Sequence, residues 1–272
     1  MIPLICIDVD GTLVSSSGKV HQPVWDAVER ALDRGQHLAL STARGAFASA
    51  WDMAERLDPA GWHVFHAGGA IAHTGTGATR PHSLTSEQLA ACRELAENRG
   101  WILELYSPTA YVIEDDSGPS VDHAALMGVD FEVGSFDEFI AAAPGIVRAQ
   151  FVVRVEEADE VLAAGKPLGL SVTSATSPIM PGIAFVSATQ SGVTKATGIE
   201  SICEELGLTI DQVMMIGDGH NDLPAIEAVG HPVAMGNAVP EVKALARYEV
   251  ASVDDDGVAE ALDMSAELDP AS

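Results

Sequence analysis

Asp8 and Asp10 stand two residues apart at the end of the apolar run Leu4-Ile5-Cys6-Ile7, with Gly11 directly behind them. The run reads as a buried β-strand. Carboxylates at alternate positions just past a strand face the same way, and they are not both buried without partners. Gly11 lets the chain turn sharply. That arrangement suits a divalent cation with an aspartate nucleophile beside it. Two further polar clusters also follow apolar strands: Ser41-Thr42-Ala43-Arg44, and Asp218, Asn221 and Asp222 after Val213–Ile216. Lys195 opens a helix. Ligands of open parallel sheets bind beyond the carboxyl ends of the strands. If these four groups meet at one edge, the site holds carboxylates, a hydroxyl, an amide and an ammonium. That inventory fits phosphoryl transfer through an aspartyl phosphate.

The elements that carry these residues are legible in outline. Strand Leu4–Val9, a helix from Pro23 to Arg34, strand His37–Ser41 and a helix from Ala46 to Leu57 alternate. That order implies a parallel sheet covered on both faces. Gly68–His73 and Ala78–Leu84 flank Thr74-Gly75-Thr76-Gly77, which reads as a hairpin turn. Thr85 with Gln88 forms a capping-box pattern ahead of a helix Ser86–Asn98. The strand-like runs Trp101–Tyr106, Ala110–Glu114, Arg148–Val153, Gly169–Thr173 and Gly182–Val186 then point to an antiparallel α+β unit. Alternation resumes with a helix Lys195–Leu206, strand Gln212–Ile216, the loop Gly217–Asp222 and a helix to Val229. Strand His231–Met235 and helix Val239–Leu245 follow. The expected fold is α/β: a Rossmann-like parallel-sheet core of residues 1–84 and 188–272, with an α+β domain inserted at 85–187. Linkers near Thr85 and Ser187 suit a hinge. Met214, Met215 and Met235 are expected in the core, His220 on the surface, and Asp254-Asp255-Asp256 in a solvated turn.

Composition narrows the function classes. The chain has 272 residues, of which 47% are hydrophobic, enough for a substantial core. Aromatics are only 5%, so aliphatic side chains must do most of the packing. Forty acidic residues against 14 basic ones leave a formal charge of −26, which argues against nucleic acid or an anionic membrane as partner. It does not exclude a small anionic substrate, because a metal and a few local cations dominate a site. Cys6, Cys92 and Cys203 show no pairing pattern, so a reducing compartment is expected. No signal-peptide pattern and no apolar run of about 18 residues is visible. A soluble, cytoplasmic protein is expected, and the oligomeric state is left open.

The motifs together resemble those of the haloacid dehalogenase-like hydrolase superfamily, and within it the Cof-type sugar-phosphatase branch. Asp8-Val9-Asp10-Gly11-Thr12 resembles the first motif, Thr42 the second, Lys195 the third and Gly217–Asp222 the fourth. Ala234-Met235-Gly236-Asn237-Ala238 and Asp256-Gly257-Val258 also resemble stretches of the branch. In the insertion the likeness rests on position and length, matching the large α/β cap. The resemblance implies that Asp8 attacks phosphorus, and that Asp10 protonates the leaving oxygen and then activates water. It implies Mg²⁺ held by Asp8, the Asp10 backbone carbonyl and Asp218, a sparse set that agrees with the preference of this ion for retained water. Thr42 and Lys195 would bind the phosphoryl oxygens, and Asn221 would contact phosphate or substrate. Asp222 would orient Lys195 or metal-bound water. Arg44 reads equally as a substrate contact or a surface ion pair. Thr42 or Ser41 as a helix cap, and Asp222 as a helix-start carboxylate, are the plain alternatives.

The implied activity is Mg²⁺-dependent hydrolysis of a small phosphomonoester, a sugar phosphate or a phosphorylated cofactor. A phosphomutase of the same superfamily would need a second anion site, and Arg80, Arg148, Arg154 and Lys166 are scattered. A non-catalytic metal-binding relative would have lost a nucleophile or ligand, and none is lost. An EF-hand fails because Gly11 falls too early in the loop and Lys19 stands where a Glu is required. A dinucleotide fingerprint fails for want of the third glycine after Gly217 and Gly219. Two departures from the branch stand out. Gly68-Gly69-Ala70 replaces the usual Asn-Gly-Ala, which puts one substrate contact in question, and Ala43 replaces a glycine.

Overall fold

In the computed structural model, which describes residues 1–270 other than 115, 117, 130, 131, 178 and 179, Leu4–Ile7 forms strand β1, buried along its whole length. Helix α1 (Gln22–Asp33) follows, with proline in its first turn and its apolar side chains Val24, Trp25, Val28 and Ala31 buried at helical spacing. Next come β2 (His37–Leu40), α2 (Ala48–Leu57), β3 (Trp62–Phe65) and β4 (Ala70–His73). The chain continues through β5 (Thr79–Pro81), α3 (Ser86–Arg99), β6 (Ile102–Tyr106), β7 (Tyr111–Ile113), α4 (Gly118–Met127), β8 (Glu132–Val133) and α5 (Phe136–Ala142). Strand β9 (Arg148–Arg154), α6 (Ala158–Gly165), β10 (Leu170–Ser177) and β11 (Met180–Gln190) complete this stretch. The last part holds α7 (Lys195–Leu206), β12 (Val213–Gly217), α8 (Leu223–Ala228), β13 (His231–Ala234), α9 (Pro240–Leu245), β14 (Tyr248–Glu249) and α10 (Gly257–Ser265).

The chain forms two compact units: residues 1–44, 51–78 and 194–272, and residues 45–50 and 79–193. The first is built on a parallel sheet ordered β14-β13-β12-β1-β2. Sheets covered on both faces need continuous apolar strands, and β1, β12 and β13 are buried throughout. Cys6, Met214, Met215 and Met235 lie in this core, each with no exposed surface. Beside β2, Ser41 forms a parallel bridge with Val64 of β3, and β3 pairs antiparallel with β4. The short β3 carries no clear period that marks it as a strand in the sequence. In place of a strand beginning at Gly68, a helical turn His66–Gly68 precedes β4.

The second unit is the expected antiparallel α+β arrangement, a sheet ordered β10-β11-β9-β6-β7-β8. Only β7 and β8 run parallel. One face of the sheet packs Leu103, Leu105, Ala149, Phe151 and Val153 against Leu89, Cys92 and Ala96 of α3, Phe136 of α5 and Val161 of α6. The capping box at α3 is present: the Thr85 hydroxyl accepts from the Gln88 N–H, and Gln88 Oε1 accepts from the Thr85 N–H. Gly100 closes the helix at φ 65°.

The acidic stretch near the C-terminus is the solvated turn expected, with Asp254 and Asp255 exposed. Val253–Asp255 is a helical turn, and Asp256, at φ 60°, leads into α10. Among the described residues no helix is long and apolar enough to cross a membrane.

Candidate active site

Strands β1 and β12 are parallel neighbours with Ile7 opposite Ile216. The residues that follow them, Asp8 and Asp218, therefore leave the sheet at one edge. On the other side β1 pairs with β2, so the chain order diverges here, where open α/β sheets bind their ligands. The Asp8 N–H donates to the Ile216 carbonyl at 3.0 Å. Gly11 turns the chain at φ 87°, and any Cβ there would overlap the Asp218 carboxylate. The glycine is thus required twice, by its backbone angle and by the close approach.

Lys195 begins α7 and is 1% exposed. Its Nζ donates to Asp8 Oδ1 and to Asp222 Oδ1, each at 2.5 Å. The other Asp222 oxygen accepts the N–H groups of Asp218 and Gly219, both at 3.0 Å. Asp222 has no exposed surface, so both of its oxygens are committed to holding the ammonium and the turn. Asp8, Asp218 and Asp222 bring carboxylate oxygens within 4.8 Å of one another. A like-charge pair at about 5 Å repels by roughly 3 kcal/mol at an effective dielectric of about 20. One ammonium does not neutralise three carboxylates. Burial accordingly pushes the Asp8 carboxyl from 3.8 up to about 7, against the pull of Lys195 and with a further push from Asp222. Asp218 is raised for the same first reason, although the Thr12 hydroxyl works against it. Burial disfavours the Lys195 ammonium, but the two carboxylates outweigh it and hold its pKa above the ordinary lysine value. The donor set is all oxygen, closely spaced and short of positive charge, which fits a hard divalent cation.

Asp10 turns its side chain outward, 64% exposed, onto Arg44. Arg44 Nε donates to Asp10 Oδ2 at 3.1 Å and Nη2 to Oδ1 at 2.5 Å. Thr42 is 1% exposed; its N–H donates to the Val64 carbonyl at 3.0 Å and its hydroxyl accepts from the Arg44 N–H at 3.2 Å. Neither Thr42 nor Ser41 caps α2, which starts at Ala48. Asn221 is exposed on the turn after β12, and Asp222 closes that turn ahead of α8. His220 is exposed and lies 3.7 Å from Glu241. Ala43 is not among the residues at positive φ, so replacing glycine there needs no unusual backbone. Gly68 is different: it sits at φ 103°, and a Cβ would overlap the Thr194 carbonyl oxygen. The backbone of Gly68 packs where an Asn side chain would have to leave the chain.

Two residues without an assigned role belong to the site. The Thr12 hydroxyl donates to Asp218 Oδ1 at 3.1 Å, and Asn237 Nδ2 donates to the Gly11 carbonyl at 2.8 Å. The signal for Asn237 was present: it follows β13, which lies parallel beside β12 and ends at the same edge.

Residues 5–262 match the sequence family of haloacid dehalogenase-like hydrolases. The chain is 29% identical over 265 residues to the stress response protein YhaX of Bacillus subtilis, covering 94% of this chain and 90% of that one. It is 26% identical to the B. subtilis 5-amino-6-(5-phospho-D-ribitylamino)uracil phosphatase YcsE, covering 96% and 94%. Its fold superposes on BT1666 from Bacteroides thetaiotaomicron with a TM-score of 0.78 at 25% identity, covering 98% and 96%. The chain belongs to the haloacid dehalogenase-like hydrolase family. It is a hydrolase of the phosphatase type.

Proposed function

We propose that the protein is a Mg²⁺-dependent phosphatase that hydrolyses small phosphomonoesters, sugar phosphates or phosphorylated cofactors, through an aspartyl phosphate on Asp8. The observation that carries this reading is the buried Asp8–Lys195–Asp222 arrangement beside Asp218. In this reading the first unit is the catalytic core. The inserted unit, drawn from sequence as 85–187, is the cap that selects substrate.

Asp8 attacks phosphorus, and the bond to the leaving oxygen breaks as the bond to Asp8 forms. Asp10 gives that oxygen a proton, then takes one from the water that cleaves the aspartyl phosphate. Its exposure and its single arginine partner among the hydrogen bonds described above leave it free to reach the leaving group. Lys195, held by Asp222, offsets repulsion between Asp8 and the incoming phosphate. Thr42 and Asn221 bind phosphoryl oxygens, and Arg44 contacts substrate while it holds Asp10. Asp8 and Asp218, with the Asp10 carbonyl, would hold Mg²⁺, and Asp222 serves the site through Lys195. When bound, the cation supplies positive charge to the phosphoryl oxygens and relieves the crowding of carboxylates. The substrate class draws on the relatives: YcsE is named for a small phosphomonoester of this kind.

The test is phosphate release from sugar phosphates, pyridoxal phosphate and flavin mononucleotide, with Mg²⁺ or EDTA, comparing wild type with Asp8→Asn. Release that needs Mg²⁺ and falls by at least about a thousandfold in the variant is expected, since loss of a nucleophile removes most of the rate enhancement. Release that survives Asp8→Asn in a preparation free of other phosphatases overturns the mechanism.

A further inference from the structure

The loop after β13 reaches three other segments of the chain through one exposed side chain, Asn237. Its Nδ2 donates to the Gly11 carbonyl at 2.8 Å and lies 3.5 Å from Asp218 Oδ2, the outer limit of a hydrogen bond. Its Oδ1 accepts from the Val253 N–H at 2.8 Å. The turn behind Asp8 and Asp10, the Asp218 loop and the 252–256 turn are thus joined by a single amide.

Each of the joined segments is anchored elsewhere. The Asp218 carbonyl accepts from the Val239 N–H at 2.9 Å, and the Gly236 N–H donates to the Ala251 carbonyl at 3.0 Å. Lys243 Nζ donates to the Gly236 carbonyl at 2.7 Å. The 252–256 turn is tied back to the chain after the first motif: Asp254 Oδ1 accepts from the Ser16 N–H at 2.9 Å, and Asp256 pairs with His21 at 2.8 Å. Asn237 therefore sits on a braced loop and reaches a braced partner.

An exposed amide gains little stability from replacing water with protein partners. What it does fix is direction. The Thr12 hydroxyl engages Asp218 Oδ1, and Asn237 approaches Oδ2 while it holds the turn whose backbone includes the Asp10 carbonyl. Donors of this kind orient a ligating carboxylate and leave its remaining lone pairs for the ion.

We infer that Asn237 is a positioning residue for the cation site, setting the Asp218 carboxylate and the Gly11 turn from one side chain. This rests on the reading that Asp8 and Asp218 hold a divalent cation. Outer-shell partners of ligands typically change affinity by about ten- to a hundredfold. Asn237→Ala is expected to weaken Mg²⁺ binding by that factor in calorimetric titration of the whole protein. Its melting temperature in EDTA should stay near that of wild type, because the side chain is exposed. Activity lost at low Mg²⁺ should return as Mg²⁺ is raised, which a purely structural defect would not allow. Thr12→Val, which removes the donor on the other oxygen, should weaken Mg²⁺ in the same way. A folded Asn237→Ala protein with wild-type Mg²⁺ affinity overturns the inference. So does a loss of activity that excess Mg²⁺ leaves unchanged. Wild type that binds no Mg²⁺ at all overturns the cation reading first, and this one with it.

Discussion

Two buried carboxylates, one in each unit, are held in contrasting ways. Asp8 is 4% exposed and meets an ammonium that it shares with Asp222. Glu104, in the middle of β6, has no exposed surface and is ringed by hydrogen-bond donors. The Tyr106 hydroxyl lies 2.6 Å from it, the Gln150 amide 2.9 Å, and His123 Nδ1 3.1 Å from each oxygen. Gln150 is itself held by the Ser187 hydroxyl at 2.9 Å, and Tyr106 stacks on Tyr111 with centroids 4.9 Å apart. The Asp8 cluster keeps an excess of negative charge and oxygens close together, and so remains ready for a cation and a phosphate. The Glu104 cluster spends its oxygens on fixed donors. Reactivity goes with incomplete compensation, and rigidity with complete satisfaction.

The contrast can be broken by removing one group at a time. The largest effect is expected for Lys195→Met, which leaves two buried carboxylates without their ammonium. Loss of one partner from a buried pair costs about 3–5 kcal/mol, read by denaturant unfolding in EDTA. A cost below about 1 kcal/mol would mean that the carboxylates do not need the ammonium for folding, and the contrast would fail.

His63 tests whether satisfied burial also occurs in the first unit. Its Nδ1 accepts from the Leu40 N–H at 3.0 Å and its Nε2 donates to the Asp58 carbonyl at 3.1 Å, which makes it the neutral form. Burial lowers its pKa from 6.5 to about 4. The unfolded chain therefore binds a proton between those values that the folded protein refuses. Stability from this residue is complete above about pH 6.5 and declines as the pH falls toward 4, by roughly 3 kcal/mol in all. Melting curves across that range should show the slope in wild type and lose it in His63→Gln. An unchanged slope would assign the acid sensitivity elsewhere.

The smallest effect is expected for Glu104→Gln, which removes the charge but keeps one carbonyl oxygen for the Tyr106 and Gln150 donors. A single poorly satisfied buried donor costs about 1–3 kcal/mol, less than the lost ammonium. If Glu104→Gln proves as damaging as Lys195→Met, the second cluster is held by charge after all.

The two clusters also differ in how far the sequence discloses them. Asp8, Thr42 and Asp218 each follow a short apolar strand, and the carboxyl-edge rule for parallel sheets gathers them without knowledge of the packing. The strand-like run Trp101–Tyr106 carries no sign that Glu104 is buried. Only the folding of α4 over that run, which brings His123 to it, makes the carboxylate buried. Strand β3 is not legible because four residues carry too little periodicity; the solvated turn at Asp254–Asp256 is legible, but not its partners Ser16 and His21, which lie far away in the chain.

The sequence by itself determined the α/β core, the inserted α+β unit and the residues at the strand ends, because strand periodicity, turn glycines and caps act over a few residues. The tertiary structure decided the partnerships. Lys195 meets Asp8 across 187 positions, and Asn237 meets Gly11 across 226. No local pattern encodes such pairs: they arise when parallel register brings β1, β12 and β13 to one edge, and burial then requires each polar group to find a partner.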